Sequence, residues 1–343
     1  MIKIKPSLNA LKPYIPNKAI YKIKLDANES KNYLSNQDLG FEIENLNRYP
    51  DSDATILREK IGQYIQVPYN NIIVGNGSSE MIELILKTYV EPNDVVLSYE
   101  PTFSMYSIYT KIYSGNYQYV STDNTFQLNI EDMINSAKQL NPKIIFLCTP
   151  NNPTGQRIPY EDIIQLIQNT DALVCVDEAY IEFTDQVKSL VTETQNFNNL
   201  AVLRTFSKAY GLAGIRLGYL VSNTNIVNTL NRVKSPYNLN SVTQMIGINA
   251  LKFTALMEEY TRIIRNERVK LEQALQNLNL VVYPSQANFV FFYSKDELLY
   301  DKLMDRGILI RGFKDSLKGY YRVTVGDAFE NQMFIQALKE ILL

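Results

Sequence analysis

Short apolar runs recur along this chain, each closed by a polar cluster and most followed by a segment with helical apolar spacing. Ile72–Val74, Val95–Ser98, Lys143–Cys148, Ala172–Val176, Leu200–Leu203 and Leu217–Val221 read as strands. Ala54–Ile65, with Asp53 as its cap, Glu80–Tyr89, Thr102–Thr110 and Tyr160–Gln168 read as helices between or before them. Strands alternating with helices predict an α/β fold: a mostly parallel sheet covered on both faces. The pattern changes after residue 238. Val242–Asn277 reads as one long helix with a charged face, spanning out of the sheet domain. Strands at Val281–Tyr283, Phe289–Tyr293, Ile308–Arg311 and Tyr320–Val325, a helix at Leu298–Arg306 and a last helix from Glu330 then predict a smaller α+β domain. Before residue 46, Pro6, Pro13 and Pro16 break any long helix, leaving an extended arm with one short strand at Lys22–Leu25. The expected division is an arm over 1–45, a large domain over 46–240, and a spanning helix with a small domain over 241–343.

Composition narrows the function. The chain has 343 residues, a 45% hydrophobic fraction and a formal charge of −2. That length suits roughly two domains of about 150 residues. The charge balance gives no reason to expect nucleic acid or an anionic membrane as a partner. No apolar run approaches the ~20 residues of a membrane span, and the first residues lack the apolar core of a secretory signal. A cytoplasmic location is expected. The two cysteines, Cys148 and Cys175, lie in apolar runs and read as reduced core residues. Histidine is absent. That removes Ser-His-Asp and Cys-His catalysis and histidine metal sites, and no metal is expected. An enzyme built this way must move protons with lysine, tyrosine, cysteine or a carboxylate.

The candidate chemistry sits where strands end. In Leu200–Val221, an apolar strand is followed by Arg204, Thr205, Ser207, Lys208, Gly211, Gly214 and Arg216. A lysine partly desolvated beside a cation loses proton affinity, and its amine becomes a nucleophile toward a carbonyl. Gly75-Asn76-Gly77-Ser78-Ser79 precedes a helix, where glycines and free amides suit a phosphate; Thr205, Ser207 and Arg216 offer further donors to the same anion. Asp177 closes an apolar strand, where a carboxylate needs a cationic partner such as a protonated ring nitrogen. Tyr180 follows in the next turn, Asn152 can present its amide to a ring hydroxyl, and Phe103 offers a flat ring to cover one face. Taken singly, a surface lysine, a helix start, a capping aspartate, an ordinary turn and a core phenylalanine account for each of these as well.

Taken together, GNGSSE, PTF, PNNPTG, DEAY and SKAYGLAGIRLGY occur in order, each after a strand, and this succession resembles the fold-type I pyridoxal-phosphate aminotransferases over essentially the whole chain. The resemblance implies a large seven-stranded-type sheet domain, with the arm joining the small domain, and pyridoxal 5'-phosphate as cofactor. It implies that Lys208 binds the cofactor covalently and then shuttles the proton, while Asp177 holds the ring-nitrogen proton. Tyr180 and Asn152 would bond the ring oxygen, Phe103 would stack on the ring, and Ser78, Ser79, Thr205, Ser207 and Arg216 would hold the phosphate. Within the family, LKPYIP, ANE, NRYPD, ANFVFF and RVTVGDAFEN look like the histidinol-phosphate subgroup. That likeness implies a homodimer in which Tyr49 reaches the neighbour's cofactor phosphate. Arg322 and Arg311 would bind the substrate anion, with Tyr14 and Asn28 also lining the substrate pocket. The expected reaction is transfer of an amino group between histidinol phosphate and 2-oxoglutarate, with an aromatic amino acid aminotransferase or a phosphothreonine-type decarboxylase as rival readings. The sequence departs from the subgroup in one place: NENP is usual there, whereas here Ser30 and Lys31 follow Glu29, so the arm lacks the proline's stiffening.

Overall fold

The computed structural model describes residues 2, 4–9, 11, 13, 19–40 and 46–342. In chain order they form β1 (Ile23–Lys24), α1 (Thr55–Ile65), β2 (Ile72–Asn76), α2 (Ser78–Tyr89), β3 (Val95–Glu100), α3 (Met105–Ile112), β4 (Asn116–Ser121) and α4 (Ile130–Leu140). Then follow β5 (Ile144–Cys148), α5 (Tyr160–Gln168), β6 (Leu173–Asp177), β7 (Leu200–Thr205), β8 (Leu217–Ser222), α6 (Thr224–Val233), α7 (Ser241–Ala250) and α8 (Thr254–Gln276). The rest are β9 (Val281–Tyr283), β10 (Phe289–Tyr293), α9 (Leu299–Asp305), β11 (Ile308–Leu309), β12 (Arg311–Gly312), β13 (Tyr320–Thr324) and α10 (Ala328–Leu342).

Seven strands form the main sheet in the order β2-β8-β7-β6-β5-β3-β4. Only β8 runs against its neighbours; β7, β6, β5, β3 and β4 are mutually parallel. Alternation along the strands builds two cores. Leu97, Ile145, Leu147, Val174, Val176 and Val202 face one way, and Val96, Ile144, Phe146, Cys175, Ala201 and Leu203 the other. Burial on both faces is why these strands read as continuous apolar runs. The carboxyl ends of β2, β3, β5, β6 and β7 share one edge, and the first residue of β8 joins it. Ligands of such sheets bind at that edge.

A second, antiparallel sheet has the order β12-β13-β10-β9. The arm strand β1 lies parallel to β11. The stretch read as one strand at Ile308–Arg311 therefore serves two sheets: β11 takes the arm, and β12 pairs with β13.

Several expectations are corrected. Asp51, not Asp53, caps α1: its carboxylate accepts from the amides of Asp53 at 3.0 Å and Thr55 at 2.7 Å. The long helix is broken by a tight turn at Leu251–Phe253, where the Thr254 hydroxyl donates to the Leu251 carbonyl at 2.9 Å. The last helix starts two residues earlier than Glu330. Asp327 accepts from the Glu330 amide at 2.8 Å while Glu330 accepts from the Asp327 amide at 3.1 Å, a reciprocal cap. Similarly, α3 starts at Met105 rather than Thr102. No helix among the described residues is long and apolar enough to cross a membrane.

Candidate active site

Lys208 lies in the turn after β7. Its Nζ donates to the carbonyls of Ala27 at 3.1 Å and Asn28 at 3.3 Å, both in the arm. Burial lowers its affinity for a proton most, and the Arg322 guanidinium lowers it further, to a pKa of about 7. A neutral amine is therefore available near neutral pH. The arm also fixes the turn's backbone: Ser30 Oγ donates to the Lys208 carbonyl at 2.6 Å, and the Tyr33 hydroxyl donates to the Ala209 carbonyl at 2.8 Å. Ser30 and Lys31, where the subgroup's NENP is lost, thus anchor the arm another way. The Lys31 amide donates to the Tyr260 hydroxyl at 3.0 Å, a bond that proline could not make.

Asp177 closes β6 and is 3% exposed. Burial pushes its pKa up to about 6, against the pull of two donors. The Tyr106 hydroxyl donates to Oδ2 at 2.9 Å and the Ala179 amide to Oδ1 at 3.1 Å. Tyr180 is also buried, its ring 5.7 Å from Lys208 Nζ. Burial raises its phenol to about 12, so it stays protonated. Its oxygen accepts from Asn28 Nδ2 at 3.1 Å, and its own proton can reach a ligand oxygen. Asn28 adopts a left-handed conformation with φ of 53°, and its amide donates to Thr324 Oγ1 at 3.0 Å. Phe103 stands edge-on to Tyr106, ring centres 5.6 Å apart.

An anion cradle lies beside this pair. Helix α2 starts at Ser78 with Gly77 before it, and no side chain caps its first turn. The Ser78 and Ser79 amides and the helix dipole suit an anion there, while the Glu80 amide bonds the Gly77 carbonyl. Glycine is required at two points. A β-carbon on Gly77 would lie 2.5 Å from the Arg216 guanidinium, and one on Gly218 would lie 2.2 Å from the Ser78 amide nitrogen. Arg216 donates to Ser207 Oγ at 3.4 Å, which places the fork and the serine hydroxyl together. Ser79 follows in the same first turn of α2. Thr205 closes β7 next to this fork; its hydroxyl donates to the Leu217 carbonyl at 3.3 Å and accepts from the Ser207 amide at 3.1 Å.

Arg322, on β13, is 8% exposed and donates to Asn152 Oδ1 and to the Asp26 carbonyl, the latter at 2.7 Å. Asn152 thus touches Arg322. Arg311 is exposed on β12 and sits directly opposite Arg322 in the strand register, so both side chains leave the same face of the sheet. Tyr49 is 81% exposed and stacked on Tyr237 at 4.6 Å. Tyr14 lies outside the described residues.

Sequence reasoning gave no role to four residues that shape the site. Tyr106 reads as a packing residue of an aromatic helix, yet bonds Asp177. Arg204, buried, bridges Glu178 at 3.1 Å and Glu182 at 2.8 Å and so ties the segment after Asp177 to β7. Ser30 and Tyr33 hold the lysine turn. A charge inside an apolar strand was the available signal for Arg204. Nothing local distinguishes Tyr106.

A nucleophilic amine, a buried acid, a phenol and an anion cradle fit a flat phosphorylated pyridine aldehyde. The acid suits its ring nitrogen, the amine its aldehyde and the cradle its phosphate. The family described as aminotransferase class I and II has a sequence model that matches residues 22–338. The chain belongs to that aminotransferase family. A histidinol-phosphate aminotransferase of Caldanaerobacter subterraneus subsp. tengcongensis is 43% identical to this aminotransferase, covering 99% of this chain and 98% of the relative. Among solved structures, the histidinol-phosphate aminotransferase of Clostridium acetobutylicum superposes with a TM-score of 0.84 at 29% identity, covering 93% of this chain and 98% of that one. The Sinorhizobium meliloti histidinol-phosphate aminotransferase, solved in complex with pyridoxal-5'-phosphate, reaches a TM-score of 0.89 at 22% identity, covering 100% and 98%. At that identity the likeness is one of fold.

Proposed function

We propose that this aminotransferase moves an amino group between histidinol phosphate and 2-oxoglutarate, using pyridoxal 5'-phosphate and working as a homodimer. The observation that carries the choice of donor is the pair Arg311 and Arg322, opposite each other on adjoining strands. Two guanidinium forks on one face suit a phosphate dianion, whereas a single fork suffices for a carboxylate. The full-length relatives named for histidinol phosphate support the same choice.

When bound, the cofactor supplies a conjugated ring that accepts the electron pair left when the substrate α-carbon loses its proton. The protein's residues do the rest. Asp177 would accept a hydrogen bond from the protonated ring nitrogen and keep that nitrogen cationic. Tyr180 and Asn152 would bond the ring oxygen, and Asn152 also touches Arg322. Ser78, Ser79, Thr205, Ser207 and Arg216 would hold the phosphate. Lys208 would hold the cofactor through its Nζ and would serve to take and return the α-carbon proton. Its low proton affinity suits it to do so.

Titrating the purified, cofactor-loaded protein with histidinol phosphate, phenylalanine and glutamate, and following the visible absorption band, ranks the donors. Arg311→Leu should lower kcat/KM for histidinol phosphate about tenfold, the worth of one charge-assisted bond at an exposed site, and leave phenylalanine unchanged. Equal losses with both donors would favour an aromatic amino acid as the natural one.

A further inference from the structure

Asp177 does not meet the cofactor alone. Behind it stands Tyr106, from α3, fully buried and bonded to Oδ2 at 2.9 Å. The phenol ring is locked in place. It lies flat on Phe146, ring centres 4.8 Å apart and planes within 1°, and Phe103 closes on it edge-first. Its hydroxyl proton is directed at the carboxylate. Burial raises the phenol's pKa well above 10, so Tyr106 remains a donor at any working pH. The strand neighbour opposite Asp177 in the register is Cys148, whose thiol is likewise kept protonated by burial and by the nearby carboxylate. The other charges acting on Asp177 are Glu178, which follows it, and Lys208 across the site. The acid is therefore backed by neutral groups, of which Tyr106 donates to it while the Cys148 thiol donates to the Pro150 carbonyl at 3.5 Å.

We propose that Tyr106 is a positioning residue: its hydroxyl fixes the Asp177 carboxylate as an ionised acceptor, so that the shared proton stays on the cofactor's ring nitrogen. Carboxylate and ring nitrogen compete for one proton. A carboxylate with two donors is a weaker base than a carboxylate with one. Without the phenol only the Ala179 amide remains, the carboxylate draws the proton toward itself, and the ring loses its positive charge. A neutral ring stabilises the electron pair at the substrate α-carbon less well, so chemistry slows while substrate binding does not change. This inference rests on the cofactor assignment above.

The test uses Tyr106→Phe, which removes one oxygen and keeps both ring contacts. Equilibrium dialysis of the cofactor-free protein measures affinity for pyridoxal phosphate and for its analogue with carbon in place of the ring nitrogen. Tyr106→Phe should weaken the natural cofactor about tenfold and leave the analogue unaffected, because the analogue has no proton to share. In the loaded enzyme kcat should fall about tenfold at unchanged KM. Adding Tyr106→Phe to Asp177→Asn should change nothing more. Melting of the cofactor-free protein reports on folding separately. Unchanged affinity for the natural cofactor, or equal losses for both ligands, would overturn the proposal. Wild-type protein that binds neither ligand would overturn the cofactor assignment and this inference together, whereas wild-type binding with a silent Tyr106→Phe overturns this inference alone.

Discussion

Burial moves Lys208 and Asp177 in opposite directions, because it disfavours the cation in one and the anion in the other. Lys208 carries its proton below about pH 7 and is neutral above it. Asp177 is neutral below about pH 6 and ionised above it. Capture of the cofactor needs the neutral amine and the ionised acid, so its rate should climb between about pH 6 and 8 and then level off. Mixing cofactor-free protein with pyridoxal phosphate across that range measures it. Arg322→Gln removes a cation that depresses the lysine and should move the midpoint upward. A flat profile would contradict the burial described for both groups. Much of this was legible in the sequence. Singly, Lys208 and Asp177 read equally as a surface lysine and a capping aspartate; the ordered succession of strand-end motifs is what singled them out, with Arg216. Tyr106 did not stand out, since Tyr106, Tyr109 and Tyr113 share one helical stripe and read as packing.

Among elements, every strand of the main sheet was readable except β4. β5, β6 and β7 are buried on both faces and spell continuous apolar runs. β4 is an edge strand, with Val120 its one buried residue, and its polar alternation hid it. α4 and α6 escaped notice too, though α4 buries Ile130, Met133, Ile134 and Ala137 at helical spacing. The link between β4 and α4 holds a contact no local pattern announces. Asp123 accepts from the Thr125 amide, the Thr125 hydroxyl and the Gln127 amide, each at 2.8 Å. That turn holds Phe126 at a φ of 64°. Its ring then stands edge-on to Tyr283, Phe291 and Tyr320, at 4.8, 5.3 and 5.4 Å. Phe291 is the register partner of Arg322. Phe126→Ala removes three edge-to-face contacts of about 0.5–1.5 kcal/mol each. It should raise KM for the amino donor several-fold while cofactor affinity stays unchanged, a split that steady-state kinetics and dialysis together would detect.

At the scale of the whole molecule, the arm, α1 and the link between them each leave an apolar side chain exposed. Ile20 is 96% exposed, Tyr49 81% and Ile56 59%. A second copy of the chain is the cover that a homodimer would give them. If Tyr49 serves the partner's phosphate, then Tyr49→Phe and Lys208→Ala, each defective alone, should complement on mixing. Half the reassociated dimers pair one subunit of each kind and carry one intact site, so activity at limiting cofactor should return to about a quarter of wild type. No recovery after verified subunit exchange would place the role of Tyr49 within its own chain. The arm has a further consequence, in time rather than space. Thr324 donates its amide to the Leu25 carbonyl at 2.9 Å, and its hydroxyl takes the Asn28 amide across a separation of 296 positions. The arm's other anchors lie at Tyr180, Lys208, Ala209, Tyr260, Asn288 and β11, so its fastening over the Lys208 amine advances in steps as the chain leaves the ribosome. The nascent polypeptide can assemble its central strands early, and residue 324 adds its hold on Leu25 and Asn28 late.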